Sequence, residues 1–217
     1  MRTLISNGTV VTAEGSQQAD VLVDGETIAQ IGRGLAGAGI AADETIDAAG
    51  RWVIPGGIDV HTHMELPFGG TFAKDTFETG TRAAAFGGTT TVVDFAVQSR
   101  GKSLREGLDA WHAKAEGNAV GDYGFHMIMS DVTDDSLAEM DGLVAEGVPD
   151  FKLFTAYPGV FYSDDGAIFR AMQRTAKNGG LIMMHAENGL AIDVVAGQTL
   201  PPATPIRTTT GCRARRS

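Results

Sequence analysis

The chain has 217 residues, 43% of them hydrophobic, enough for one full domain or for one domain and part of another. Its formal charge of −10, with no basic stripe before the last few residues, argues against a nucleic-acid surface. A single cysteine, Cys212, excludes an internal disulfide and a thiolate zinc cluster, and no apolar run reaches the roughly 18 residues of a spanning helix. With no visible signal peptide, the expectation is a soluble, cytoplasmic protein with no membrane partner.

In chain order, residues 1–52 come first. TLISNGTVVTA and ADVLVDGETIAQIG alternate apolar and polar side chains, with turn signals at Asn7-Gly8 and Asp24-Gly25. They predict tight hairpins in a small β domain. A glycine-rich loop, GRGLAGAGIAA, then leads to ETIDAAGRWVIPGG.

From Val53 to Thr199 the pattern changes to strands alternating with helices. GIDVHTH, TTTVVDFA, YGFHMIMS, FKLFTA and LIMMHAENG read as five strands. Between them, TFAKDTFETGTRAAAFGG, SLREGLDAWHAKAEG, TDDSLAEMDGLVAEG and SDDGAIFRAMQRTAKNGG read as four helices. Units of about thirty residues are the spacing of βαβ crossovers. Either an open doubly wound sheet or a (β/α)8 barrel fits. Within this second zone no GxGxxG follows a strand, and the barrel is preferred.

A barrel demands that chemistry gather at the C-terminal ends of its strands. His61 and His63 end the first strand, His185 ends the fifth, and Lys152 lies in the fourth. Residues i and i+2 share a strand face, so the two imidazoles of DVHTH can converge on one ion. Taken alone, an HxH on a strand is more often accident than ligand pair, and a lone histidine more often packs than binds. His112 and His126 keep that plain reading, because neither ends a strand and the sequence offers no partner. Lys152 is the odder residue. A lysine between Phe151 and Leu153 carries a desolvated charge unless it snorkels, is neutralised or is paired. Three histidines and an inward lysine at strand ends together point to a metal.

VIPGGIDVHTHMELPFGG, DTFETGTRAAAFGGTTTVVDFA, DFKLFTAYPGVFYSDDGAIFRAMQ and MMHAENG, in that order, resemble motifs of the cyclic amidohydrolases of the amidohydrolase superfamily. Within that group they most resemble hydantoinase and dihydropyrimidinase. The resemblance implies a metal-dependent (β/α)8 barrel, preceded by the N-terminal part of a small β-sandwich. It implies two Zn2+ ions, His61 and His63 on one, His185 on the other, bridged by Lys152 carboxylated on its side-chain nitrogen. It casts Tyr157 as the donor to the developing oxyanion, and Phe154 and Phe161 as walls for the ring substituent. The implied substrate is a small cyclic ureide or imide, and the implied assembly a homo-oligomer when full length.

The family's barrel goes on to supply a further histidine and an aspartate as ligands, and residues 53–199 fall short of the roughly 250 residues of a usual barrel. After Leu200, PPATPIRTTTGCRARRS has no carboxylate and carries Arg207, Arg213, Arg215 and Arg216. Residues 200–217 are therefore read as the product of a shifted reading frame, in preference to a disordered tail, and the chain as the first part of a hydrolase. Allantoinase and dihydroorotase are the alternatives within the class; an inactive fragment is the alternative outside it. A metal-free structural relative is disfavoured, since such relatives replace these ligands.

Overall fold

The computed structural model describes residues 1–199; the segment from Leu200, with the frame shift expected there, lies outside the described residues. Two compact units result, one of Met1–Ile58 with Gly87–Thr90, the other of Asp59–Phe86 with Thr91 onward.

The first unit is a sheet of β1 (Arg2–Thr12), β2 (Gly15–Asp24), β3 (Thr27–Gly32) and β4 (Glu44–Asp47) in the order β3-β2-β1-β4, with β5 (Trp52–Val53) also beside β1. The hairpins β1–β2 and β2–β3 are antiparallel, while β4 and β5 run parallel to β1. Chain reversal after Asp24 falls where the sequence signals it, at Gly25-Glu26. Asn7-Gly8 is different. It makes no turn but a β-bulge inside one eleven-residue strand, and the reversal comes at Ala13-Glu14. Asn7 takes a positive φ of 62°, and its N–H donates to the Asp20 carboxylate at 2.8 Å. That bond holds the Asp20 carboxyl below its usual pKa. The bulge also reverses the inward phase, so Leu4 packs with Leu22 and Leu35 whereas Val10 packs with Ala19 and Val21. GRGLAG has the letter spacing of a dinucleotide fingerprint, yet it leads from an antiparallel strand into a single 3-10 turn, Leu35–Gly37. It lacks the crossover helix whose N-terminus would take a phosphate.

The second sheet follows the expected strand–helix succession. It contains β6 (Gly57–Thr62), β9 (Thr89–Val97), β10 (Asp122–Ile128), β11 (Asp150–Phe154) and β12 (Leu181–His185), in the order β12-β11-β10-β9-β6. Strands β9 to β12 pair in parallel. Between them run α1 (Phe77–Phe86), α2 (Leu104–Ala115), α3 (Asp134–Ala145) and α4 (Asp165–Asn178). This is the curled parallel sheet of the first part of a (β/α)8 barrel. Capping fixes the helix starts: Ser103 with Glu106 and Thr133 with Ser136 form capping boxes, and Asp164 accepts from Ala167 N.

Two differences from the sequence reading stand out. The helix expected from residue 71 begins only at Phe77, because Thr71–Phe72 (β8) pairs with Pro67–Phe68 (β7) in a small hairpin. A fifth helix, α5 (Gly189–Thr199), was not expected. Its sequence GLAIDVVAGQT is apolar on several sides, with Leu190, Ile192, Val194 and Val195 exposed, so it has no amphipathic period to read.

Strand alternation sorts the side chains of this sheet into two layers. Phe151 and Leu153 join Ala96, Phe125 and Met127 in the core beneath the helices. Phe154 joins Phe95, Ile128 and Phe161 in a second cluster on the opposite face. The helix layer is tight. A Cβ at Gly107 of α2 would lie 2.7 Å from the Val97 carbonyl oxygen and 2.8 Å from Met127 Cε. Gly107→Ala should therefore cost about 1–3 kcal/mol through overpacking, read as a lower urea midpoint. An unchanged midpoint would mean that α2 rides further from β9 than described.

Candidate metal centre

His61 stands near the end of β6 and His63 just beyond it, both on the face opposite the helix layer. Their ring centroids are 5.1 Å apart, and both lean on Phe95 of β9, at 4.7 and 4.9 Å. Lys152, from β11, enters the same place. Its Nζ lies 3.3 Å from His61 Nε2, 4.2 Å from the Phe95 ring centroid and 5.3 Å from that of Phe154. His185, the last residue of β12, stacks on Phe154 with centroids 5.4 Å apart and lies 5.3 Å from the Tyr157 ring.

These four side chains line one cavity of about 250 Å3, together with Phe154, Tyr157 and Phe161. Each residue singled out from the sequence therefore reaches a common space. A hollow of similar size beside the β1–β2 hairpin is lined by Glu14, Ser16 and Gln17 among others, without histidine, lysine or aromatic side chains. Chemistry, not volume, distinguishes the two. Tyr157 adopts a positive φ of 60°, and its carbonyl accepts from the N–H groups of Val160, Phe161 and Tyr162. Such strain in a non-glycine residue is tolerated where a turn must aim a side chain.

The electrostatics follow from burial. Lys152 is 7% exposed, and among the described residues it pairs with no carboxylate. Burial pushes its pKa below the ordinary lysine value. His63 is pushed down to about 4, by burial first and then by Lys152 and His61. His61 is lowered for the same leading reason, with Lys152 and His126 adding to it. Both imidazoles are thus neutral at pH 7 and can lend a nitrogen lone pair to a Lewis acid. His63 Nδ1 is buried with no hydrogen-bond partner among the described residues, as a nitrogen awaiting a ligand would be.

Among the described residues no three His, Cys, Asp or Glu side chains form a metal-holding group by themselves. Lys152 is the further side chain in this cavity that could add a donor, which an ammonium cannot do and its carbamate can. His185 Nε2 lies 2.6 Å from Glu187 Oε2, so binding through that atom means releasing Glu187.

His126 departs from its sequence reading, for it does have partners. Its Nε2 lies 3.0 Å from the Val60 carbonyl oxygen, and its Nδ1 lies 3.0 Å from Asp150 Oδ2 without hydrogen-bond alignment. Those contacts join strands distant in sequence, and no local pattern records them. His112 is exposed and sets its ring edge-on against Phe125, with centroids 4.9 Å apart. Sequence reasoning missed Leu66, Phe68 and Ile128, which also line the cavity, and Phe95, which supports three of its polar side chains. Phe68 is carried there by the unexpected hairpin, stacking on Phe161 with centroids 6.0 Å apart.

Residues 52–198 match the amidohydrolase family, and the chain belongs to it. Amidohydrolases of this kind are generally metal-dependent. The chain is 67% identical over 201 residues to a D-hydantoinase of Streptomyces coelicolor, covering 92% of this chain and 43% of that protein. It is 39% identical to a dihydropyrimidinase of Rattus norvegicus, covering 87% of this chain and 37% of the relative. Among solved structures, the dihydropyrimidinase of Brevibacillus agri NCHU1002 superposes with a TM-score of 0.87 at 48% identity, over 91% of this chain and 42% of the other. The chain thus spans less than half the length of these relatives.

If the paired imidazoles hold metal, equilibrium dialysis should show zinc binding that is weak, because few donors converge. His61→Ala and His63→Ala should each abolish it. Unchanged binding in the double variant would remove these two residues from any metal site.

Proposed function

We propose that this chain carries the metal-binding part of the active site of a cyclic-amide hydrolase, one that opens hydantoins and dihydropyrimidines to N-carbamoyl amino acids. The observation that carries the reading is Lys152: a buried amine with no anion beside it among the described residues, 3.3 Å from His61, in a cavity that also holds His63 and His185. The high identity to D-hydantoinases supports the reaction class.

In this reading His61 and His63 would hold one Zn2+ and His185 a second, with Lys152, as its carbamate, supplying the anion that would offset their charge. Zinc, when bound, supplies a Lewis acid that polarises the ring carbonyl and makes water a stronger nucleophile at neutral pH. The chain's own part begins with Lys152. Its lowered pKa leaves more of it as free amine, which adds to carbon dioxide and releases one proton, giving a carbamate anion. That exchange replaces a buried cation by an anion able to offset two metal charges. Tyr157, at the cavity wall, donates a hydrogen bond from its hydroxyl to the oxyanion that forms on the ring carbonyl. Phe154 and Phe161, with Phe68 stacked on the latter, form an apolar wall for the exocyclic substituent.

The same proposal assigns residues 1–52 to a small β-sandwich and residues 53–199 to the first part of the barrel. It extends to a cytoplasmic homo-oligomer, with the remaining metal ligands supplied from later in a complete barrel.

The test joins residues 1–199 to the remaining part of the Streptomyces coelicolor D-hydantoinase. This chimaera should open the hydantoin ring when loaded with zinc. Lys152→Ala in it should lower kcat by at least about a hundredfold, a loss of about 3 kcal/mol of transition-state stabilisation, and added acetate should restore part of the rate. A fully active Lys152→Ala chimaera would overturn the bridging role.

A further inference from the structure

We infer that Asp94 is a positioning residue for the paired histidines, bracing His63 from behind the sheet. It rests on the metal reading above and adds to it a residue that touches neither imidazole.

Asp94 is fully buried in β9, next to Phe95. Adjacent strand residues point to opposite faces. Phe95 therefore meets the imidazoles in the cavity, while Asp94 sits on the helix side, at their backs. There its Oδ2 accepts from Met64 N at 2.7 Å and from Thr62 Oγ1 at 2.9 Å. These are the residues on either side of His63. Its Oδ1 accepts from Phe95 N at 2.8 Å and from Trp111 Nε1 of α2 at 3.0 Å. One carboxylate thus ties both flanks of His63 to strand β9 and, through the indole, to α2.

The same helix holds the next residue. Lys114 Nζ lies 3.3 Å from the Glu65 carbonyl oxygen and 3.8 Å from the Trp111 ring centroid. Glu65 itself has a positive φ of 54°, so the chain turns sharply right after the bracketed histidine. The backbone leaving β6 cannot shift without breaking the Asp94 bonds or the Lys114 contact.

Asp94 also has a chemical signature that plain packing would not need. Three of its four partners, Met64 N, Phe95 N and Trp111 Nε1, are N–H groups that can only donate. A group that accepts on both oxygens is required, and only a carboxylate of this size offers it. In Asp94→Asn the side-chain NH2 must face at least one of these donors. The volume is kept and the brace is broken on one side. Burial raises this carboxyl's pKa above the ordinary carboxylate value, and the four donors oppose part of that rise.

Zinc affinity of the 217-residue chain, measured by equilibrium dialysis, separates bracing from simple stability. Asp94→Asn should weaken binding about tenfold, the lower end of what lost support behind a metal ligand costs. Leu143→Ala, a cavity in the α3 core, should lower the melting temperature comparably and leave zinc affinity of the folded protein unchanged. Thr62→Val, which removes one donor and keeps the carboxylate with three, should weaken zinc binding by less than Asp94→Asn. It serves as the readout if Asp94→Asn does not fold. Equal zinc affinity in wild type and Asp94→Asn, or in wild type and Thr62→Val where that is the readout, would overturn the inference. So would a loss in Leu143→Ala as large as that in Asp94→Asn. Loss of zinc binding in His63→Ala alongside normal binding in Asp94→Asn would reject the brace alone. Normal binding in His63→Ala would reject the metal reading beneath it.

Discussion

Lys152 is a side chain that should not be comfortable where it is. The alternation of β11 sends Phe151 and Leu153 into the helix layer and leaves Lys152 and Phe154 on the cavity face. Its Nζ then meets the π faces of Phe95 and Phe154 and the imidazole of His61, and among the described residues no carboxylate. Cation–π contacts offset only a small part of the cost of desolvating an ammonium, on the order of 0.5–2 kcal/mol. Selection for stability alone would put an apolar residue at this point. A buried amine in this place fits a functional demand, and the proposed conversion to a carbamate would turn the liability into a ligand.

The rest of the site is arranged around that amine by one sheet used on both faces. On the cavity face, His61, His63 and His185 leave the ends of β6 and β12, and Phe95 sets the floor. On the helix face, Asp94 and Trp111 fix the backbone from which His63 projects. The helix layer is packed closely enough that Gly107 has no room for a Cβ. Rigidity at the back of the sheet therefore reaches the imidazoles at the front, as the proposed metal site would require.

Much of this was legible in the sequence. Period-two apolar runs separated by amphipathic helices pointed to the parallel succession, and HxH at a strand end with a lysine three strands later drew attention to a metal. What stayed hidden has physical causes. Asn7-Gly8 carries turn chemistry, but a bulge uses the same positive φ without reversing the chain. β7 and β8 are two residues each, too short for any period, so Phe68 could not be placed against Phe161. α5 is apolar without a polar stripe, and period detection fails on it. Asp94 and His126 take meaning from contacts distant in sequence, such as those with Thr62 and Met64 and with Val60.

Direct detection of the carbamate is the sharpest discriminator between a bridging lysine and a merely buried one. The zinc-loaded chain, equilibrated with 13C-labelled bicarbonate, should show a carbamate carbon resonance that is absent from Lys152→Ala and lost when zinc is chelated. Zinc bound at His61 and His63 with no such resonance would contradict the bridge and leave Lys152 a free buried amine.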